Sequence, residues 1–97
     1  MNLETIQVLN QGKVSTIMLN RPDMLNAVNE QLVWDLQKAT EIVMNDDSVK
    51  VVILTGAGRG FSAGADLSER KASWSGSKDA LIRGYKPSFE NIINMPK

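Results

Sequence analysis

Ninety-seven residues hold one domain and leave no room for separate cofactor and substrate domains. Eleven acids balance eleven bases, so no net field favours nucleic acid or anionic lipid, and 42% hydrophobic with 23% charged residues is the composition of a globular chain. The absence of cysteine and histidine excludes disulfides, zinc–thiolate sites, cysteine nucleophiles and every Ser-His-Asp triad. In chain order, residues 5–9 read as a first strand, with Ile6 and Val8 alternating with Gln7 and Leu9. Asn10-Gln11-Gly12-Lys13 reads as a polar four-residue connection, and residues 14–19 as a second strand with Ser15, Ile17 and Leu19 on one face. Arg21-Pro22-Asp23 ends it, because proline has no N–H for the ladder.

A helix is predicted next, from Asn26 or Asn29 to about Met44. Val28, Leu32, Leu36, Ala39 and Val43 form one stripe at helical spacing, either asparagine can cap the start, and Asn45-Asp46-Asp47 supplies the stop. Trp34 lies one position off the stripe and reads as core or subunit contact. The run Val51-Val52-Ile53-Leu54 is short, continuous and β-branched, which predicts a strand buried on both faces. A glycine-rich loop follows over residues 56–65. Asp66-Leu67-Ser68-Glu69 has capping-box spacing and predicts a short helix, with Glu69 in solvent. Residues 73–77 read as a surface loop carrying Trp74. Residues 78–94 read as helix, broken or kinked at Gly84 and Pro87, with Tyr85 and Phe89 in the core. This order, hairpin then crossover helix then parallel strand, predicts an α/β layer structure.

Four of the seven glycines fall within residues 56–64. A glycine-rich loop leaving the C-terminal end of a strand is a usual ligand site in α/β proteins. The dinucleotide pattern G-x-G-x-x-G fails here, because Phe61 or Ala63 stands where its last glycine belongs, and the Gly-Lys-Ser/Thr of the Walker loop is absent.

Leu19-Asn20-Arg21-Pro22, Asn26-Ala27, Val52-Ile53-Leu54-Thr55-Gly56 and Phe61-Ser62-Ala63-Gly64-Ala65-Asp66-Leu67 together resemble the crotonase, or enoyl-CoA hydratase/isomerase, family. The resemblance covers nearly the whole chain and implies the N-terminal portion of the crotonase ββα spiral fold, in which residues 1–97 are a truncated N-terminal part of one domain. It implies an acyl-CoA thioester as ligand, with coenzyme A as part of the substrate and no separate cofactor or metal. The backbone N–H of Ala65 is then the catalytic group, a donor to the thioester oxygen as enolate charge develops. Gly64 leaves room for that approach, and the Ala63 carbonyl accepts from the adenine amino group. Asp66, Leu67 and Ser68 line the pantetheine and acyl entrance, and Arg59 keeps a cation in the loop.

Several hydratases of this family carry lysine near the CoA phosphates where this chain has the non-basic Asp23 and Ser68. Their second oxyanion donor and two catalytic glutamates correspond to positions beyond residue 97. The reading is therefore part of an enzyme that adds water to a 2-trans-enoyl-CoA, inactive as the 97-residue chain alone. The alternatives are another reaction of the family (isomerisation, thioester hydrolysis or ring cleavage), a non-catalytic CoA-thioester binding or assembly module, or a plain α/β domain with a glycine turn. A cytoplasmic homo-oligomer with no nucleic-acid or membrane partner is expected. No apolar run approaches the roughly 20 residues of a membrane span, and the first residues do not read as a signal peptide.

Overall fold

The computed structural model describes residues 2–64 and 81–97. The first strand, β1 (Ile6–Gln11), pairs antiparallel with β2 (Val14–Leu19), in a register that sets Ile6 opposite Leu19 and Gln11 opposite Val14. β2 has the predicted bounds, whereas β1 runs two residues past its predicted end at Leu9. The connection is thus two residues, Gly12-Lys13, and not four. Gly12 has φ of 61°, and a glycine with positive φ at the first turn position is the arrangement that matches strand twist in a tight hairpin.

The predicted helix is present as α1 (Glu30–Met44), and Asn29 is its cap: its side chain accepts from the Leu32 N–H at 2.9 Å. The helix carries the chain across to β3 (Val51–Gly56), which lies parallel to β2, so the sheet order is β1-β2-β3. Ile6, Val8, Ile17 and Leu19 from the sheet meet Leu32, Leu36, Ala39 and Val43 of α1 in one core. Each such large side chain contributes roughly 1.5–3 kcal/mol by leaving water. The buried Asp35 ties this helix to the start of β1, accepting from the Thr5 N–H (2.8 Å), the Thr5 hydroxyl (2.7 Å) and Gln31 (2.9 Å). Trp34 is half-buried on the flank of α1 and donates its indole N–H to Glu30 at 3.1 Å.

β3 is not buried on both faces as its composition predicted. Val51 is 50%, Ile53 47% and Leu54 37% exposed. Among the described residues β3 pairs only with β2, and its apolar side chains therefore lack the second strand and second layer that a central strand receives. Val52 alone of the run packs against the core.

A π-helical turn, Leu81–Tyr85, runs into α2 (Lys86–Asn94), with Pro87 in the first α-turn. The break predicted at Gly84 and Pro87 is this change of helical winding: proline lacks an N–H, and the first turn is where none is needed. The helix rests on α1 through polar bonds. Ser88 donates to the Val33 carbonyl at 3.2 Å, and Asn91 to the Thr40 hydroxyl at 3.0 Å. Phe89 is 49% exposed and stacks on the half-buried Tyr85 with ring centroids 6.3 Å apart, so the expectation of a core position fails for Phe89. The pair lies beside a cavity and not in the packed layer. The short helix expected at 66–69 and the loop at 73–77 lie outside the described residues, as do Glu69 and Trp74. No helix among the described residues is long and apolar enough to cross a membrane.

Candidate functional site

The glycine-rich loop begins where β3 ends. Ala57 still bonds to β2, its N–H donating to the Leu19 carbonyl at 2.8 Å, and the chain then turns back on itself. Gly56 makes that return possible. A Cβ there would lie 2.3 Å from the Phe61 carbonyl oxygen and 2.6 Å from that of Gly60, closer than any real side chain sits. Gly58, with φ of 82°, and Gly64, with φ of 94°, are required by conformation, since other residues rarely adopt those angles. Among the described residues nothing lies within 4 Å of where a Cβ on Gly64 would be, and its backbone angle is what selects glycine there.

The loop is held from one side by the segment between β2 and α1. That segment makes a 3-10 turn, Pro22–Met24, after which Leu25 and Asn26 both take the left-handed conformation (φ 53° and 54°). Two adjacent non-glycine residues there carry a cost of about 1–2 kcal/mol each, offset by the bonds they make possible. The buried Asn26 amide accepts from the Arg21 N–H (2.8 Å) and donates to the carbonyls of Ala57 (2.8 Å) and Gly60 (3.0 Å). The Arg21 guanidinium donates to the Ala27 carbonyl. The Ala63 N–H donates to the Leu25 carbonyl at 2.9 Å, and the Val28 N–H to the Gly64 carbonyl at 2.7 Å. Asn26, read from sequence as one of two possible caps for α1, instead pins the loop. The signal was present in the sequence: Asn26 and Asn29 both precede one helix, and a helix has one cap position.

The loop borders two hollows. One is a cavity of about 310 Å³ with an almost wholly apolar wall, formed by Leu19 and Leu54 of the sheet, Leu32 and Leu36 of α1, Tyr85 and Phe89, with Phe61, Ser62 and Gly64 at the loop. The other is an open hollow of about 350 Å³ lined by Leu25, Arg59, Gly60, Ser62 and Ala63. Of the site residues expected from sequence, Arg59, Ala63 and Gly64 are exposed on this loop. Arg59 and Ala63 share the open hollow, while Gly64 borders the apolar cavity. Ala65, Asp66, Leu67 and Ser68 lie outside the described residues. Asp23 is exposed in the 3-10 turn. Among the described residues no three Asp or Glu side chains come together as a metal site would require.

The last strand of the sheet thus feeds a clamped glycine loop that borders both an apolar cavity and a hollow lined by Arg59. The family profile for enoyl-CoA hydratase/isomerase matches residues 10–97, and the chain belongs to that family. It is 38% identical over 88 residues to the 1,2-epoxyphenylacetyl-CoA isomerase of Escherichia coli K12, covering 87% of this chain and 34% of that protein. It is 34% identical over 97 residues to a probable enoyl-CoA hydratase of Rhizobium meliloti, covering 100% of this chain and 37% of that protein. The crystal structure of a probable enoyl-CoA hydratase from Mycobacterium smegmatis superposes with a TM-score of 0.84 at 36% identity, over 98% of this chain and 38% of that one. The chain thus spans about a third of the length of the curated relatives it matches. The crotonase-type α/β architecture expected from the sequence motifs is the one observed.

Proposed function

We propose that residues 1–97 are the N-terminal, acyl-CoA-binding part of an enzyme that adds water across the double bond of a 2-trans-enoyl-CoA. In that reaction hydroxide character is delivered to C3 and a proton to C2, and the negative charge passes through the thioester oxygen as an enolate. A fixed N–H aimed at that oxygen stabilises the transition state by about 3–4 kcal/mol. The N–H of Ala65 takes this role, immediately after the clamped Gly64. The acyl chain enters the apolar cavity. The Ala63 carbonyl and Arg59, in the open hollow, meet the adenine and phosphates of CoA, with Asp66, Leu67 and Ser68 at the entrance. The acid and base carboxylates, and the second donor, belong to the remainder of the enzyme, which assembles as a homo-oligomer in the cytoplasm.

The observation that supports this reading best is that one loop lines both an apolar cavity and a hollow carrying Arg59. Isomerisation of an acyl-CoA is the second reading, because it uses the same oxyanion and the E. coli relative is named for such a reaction. Acetoacetyl-CoA titrated into the 97-residue chain tests the binding half, with CoA alone as the comparison. Crotonyl-CoA absorbance followed with the whole enzyme and with the chain tests the chemistry. Binding by the chain with turnover only by the whole enzyme is the expected result. A chain that binds no thioester, or that turns crotonyl-CoA over unaided, overturns the assignment.

A further inference from the structure

We propose that Leu54 sets the length of acyl tail this protein accepts, and that the tail it selects is a straight apolar chain of medium length. The inference rests on the acyl-CoA reading above and adds the substrate class. Besides the apolar cavity there is a smaller one of about 120 Å³, whose wall includes Ile17, Thr40, Val52, Leu54, Ile92 and Lys97. Among the described residues Leu54 alone lines both cavities.

The two cavities follow one another along a single groove between sheet and helices. On β2 the larger is lined by Leu19 and the smaller by Ile17, two residues back on the same face. On β3, parallel to β2, the matching step is Leu54 to Val52. On α1 it is Leu36 to Thr40, and on α2 Ser88 to Ile92, one turn onward in each. Two strand residues and four helix residues both cover roughly 6–7 Å, so all four elements advance together. Ser62 and Gly64 border only the larger cavity, which makes the loop end the entrance. Lys97 borders only the smaller one, with its ammonium held on the carbonyls of Asp46 (2.7 Å) and Val49 (2.8 Å). Leu54 stands between.

Volume then fixes the length. A methylene fills about the 30 Å³ that a water molecule takes in the liquid, so the cavity of about 310 Å³ holds about ten carbons and that of about 120 Å³ about four more. The almost wholly apolar wall favours each added methylene and disfavours a charged or hydroxylated tail. Leu54 is not part of the packed core, so its side chain can be changed without opening that layer. Ile53, its neighbour, points to the other face of the sheet by strand alternation and lines neither cavity, which makes it a matched control.

The test titrates butanoyl-, decanoyl- and tetradecanoyl-CoA into the 97-residue chain, each below its micelle concentration, with circular dichroism to check folding. Wild type is expected to bind decanoyl-CoA at least about tenfold tighter than butanoyl-CoA, and tetradecanoyl-CoA no tighter than decanoyl-CoA. Leu54→Ala joins the cavities and should tighten tetradecanoyl-CoA by about fivefold or more, with butanoyl-CoA within about twofold of wild type. Leu54→Phe narrows the passage and should weaken decanoyl-CoA about fivefold while sparing butanoyl-CoA. Ile53→Ala leaves the whole profile as it was. If Leu54→Phe fails to fold, the two alanine variants decide. Equal affinity of wild type for all three lengths overturns the proposal, as does a Leu54→Ala profile matching wild type or one that Ile53→Ala reproduces. In each of those cases acyl-CoA binding itself still stands. A folded wild-type chain that binds none of the three overturns the acyl-CoA reading, and the proposal with it.

Discussion

The side-chain nitrogen of Asn26 stands 2.8 Å from the point where a Cβ on Gly56 would have to sit. The last residue of β3 and the pin of the loop thus occupy one space, and the loop closes only because residue 56 is glycine. Gly56→Ala must displace the Asn26 amide and the carbonyls of Gly60 and Phe61. We expect a loss of roughly 2–3 kcal/mol in urea unfolding, together with loss of acetoacetyl-CoA binding. Gly60→Ala, where nothing lies within 4 Å and φ is not positive, changes stability by less than roughly 0.5 kcal/mol. Equal losses at the two positions would show that crowding is not the cause.

Ala65→Pro in the whole enzyme deletes the proposed donor N–H. The expected loss is about 10²–10³-fold in kcat with a smaller change in KM, because the contact strengthens as charge develops. Ala65→Gly keeps the N–H and retains most of the rate, and Glu69→Gln changes little. A proline variant that folds, binds CoA and turns over within a few-fold of wild type removes Ala65 from the mechanism.

Phe89 separates acyl selectivity from stability. It is half exposed, and its stacking on Tyr85 lies beside the apolar cavity. Phe89→Ala therefore costs less than about 1 kcal/mol of folding stability. It raises KM about fivefold for enoyl-CoAs longer than crotonyl-CoA, roughly the energy of one methylene or slightly more left in water. Steady-state kinetics across a chain-length series reads this directly. A uniform rise in KM for every chain length would place the acyl group elsewhere.

The pH response of the turn after α1 has a definite sign. The Asp46 carboxylate accepts the Ser48 hydroxyl at 2.6 Å and the Ser48 N–H at 3.0 Å, and these bonds hold its pKa below the ordinary 3.8. A lowered folded-state pKa stabilises the fold above the unfolded carboxylate's value, and that contribution is lost as the pH falls through the lower one. Ser48→Ala removes the larger of the two bonds, so NMR titration should show the Asp46 midpoint move up toward the ordinary value. An unmoved midpoint contradicts the assignment of cause.

Periodicity carried most of the fold. The α1 stripe and the Ile17 face of β2 follow from spacing, because a half-buried element must repeat with its own geometry. β3 was correctly located, but its burial was misread for the same physical reason that made it visible. A run of β-branched apolar residues reports strand propensity, whereas burial depends on which elements lie alongside. The hairpin was read too long in its turn, since Asn10 and Gln11 look like loop residues yet continue the ladder with exposed side chains. At the site, the motifs located the loop and its glycines. They did not reveal that Asn26, thirty residues earlier, ties it down, because contacts between distant segments leave no local period.

The β2–α1–β3 crossover also sets an order of assembly. β3 joins the edge of β2 that β1 leaves open, and the whole crossover through α1 is synthesised before it. The hairpin and helix sequences are thus made before Val51-Val52-Ile53-Leu54, which pairs only with a strand more than thirty residues earlier. An uncharged β-branched segment waiting for its partner is the kind that seeds cross-β stacking. Refolding yield should accordingly fall with protein concentration before the native sheet is threatened, and a lysine replacing Ile53, which points away from the core, would act as a gatekeeper without disturbing the loop.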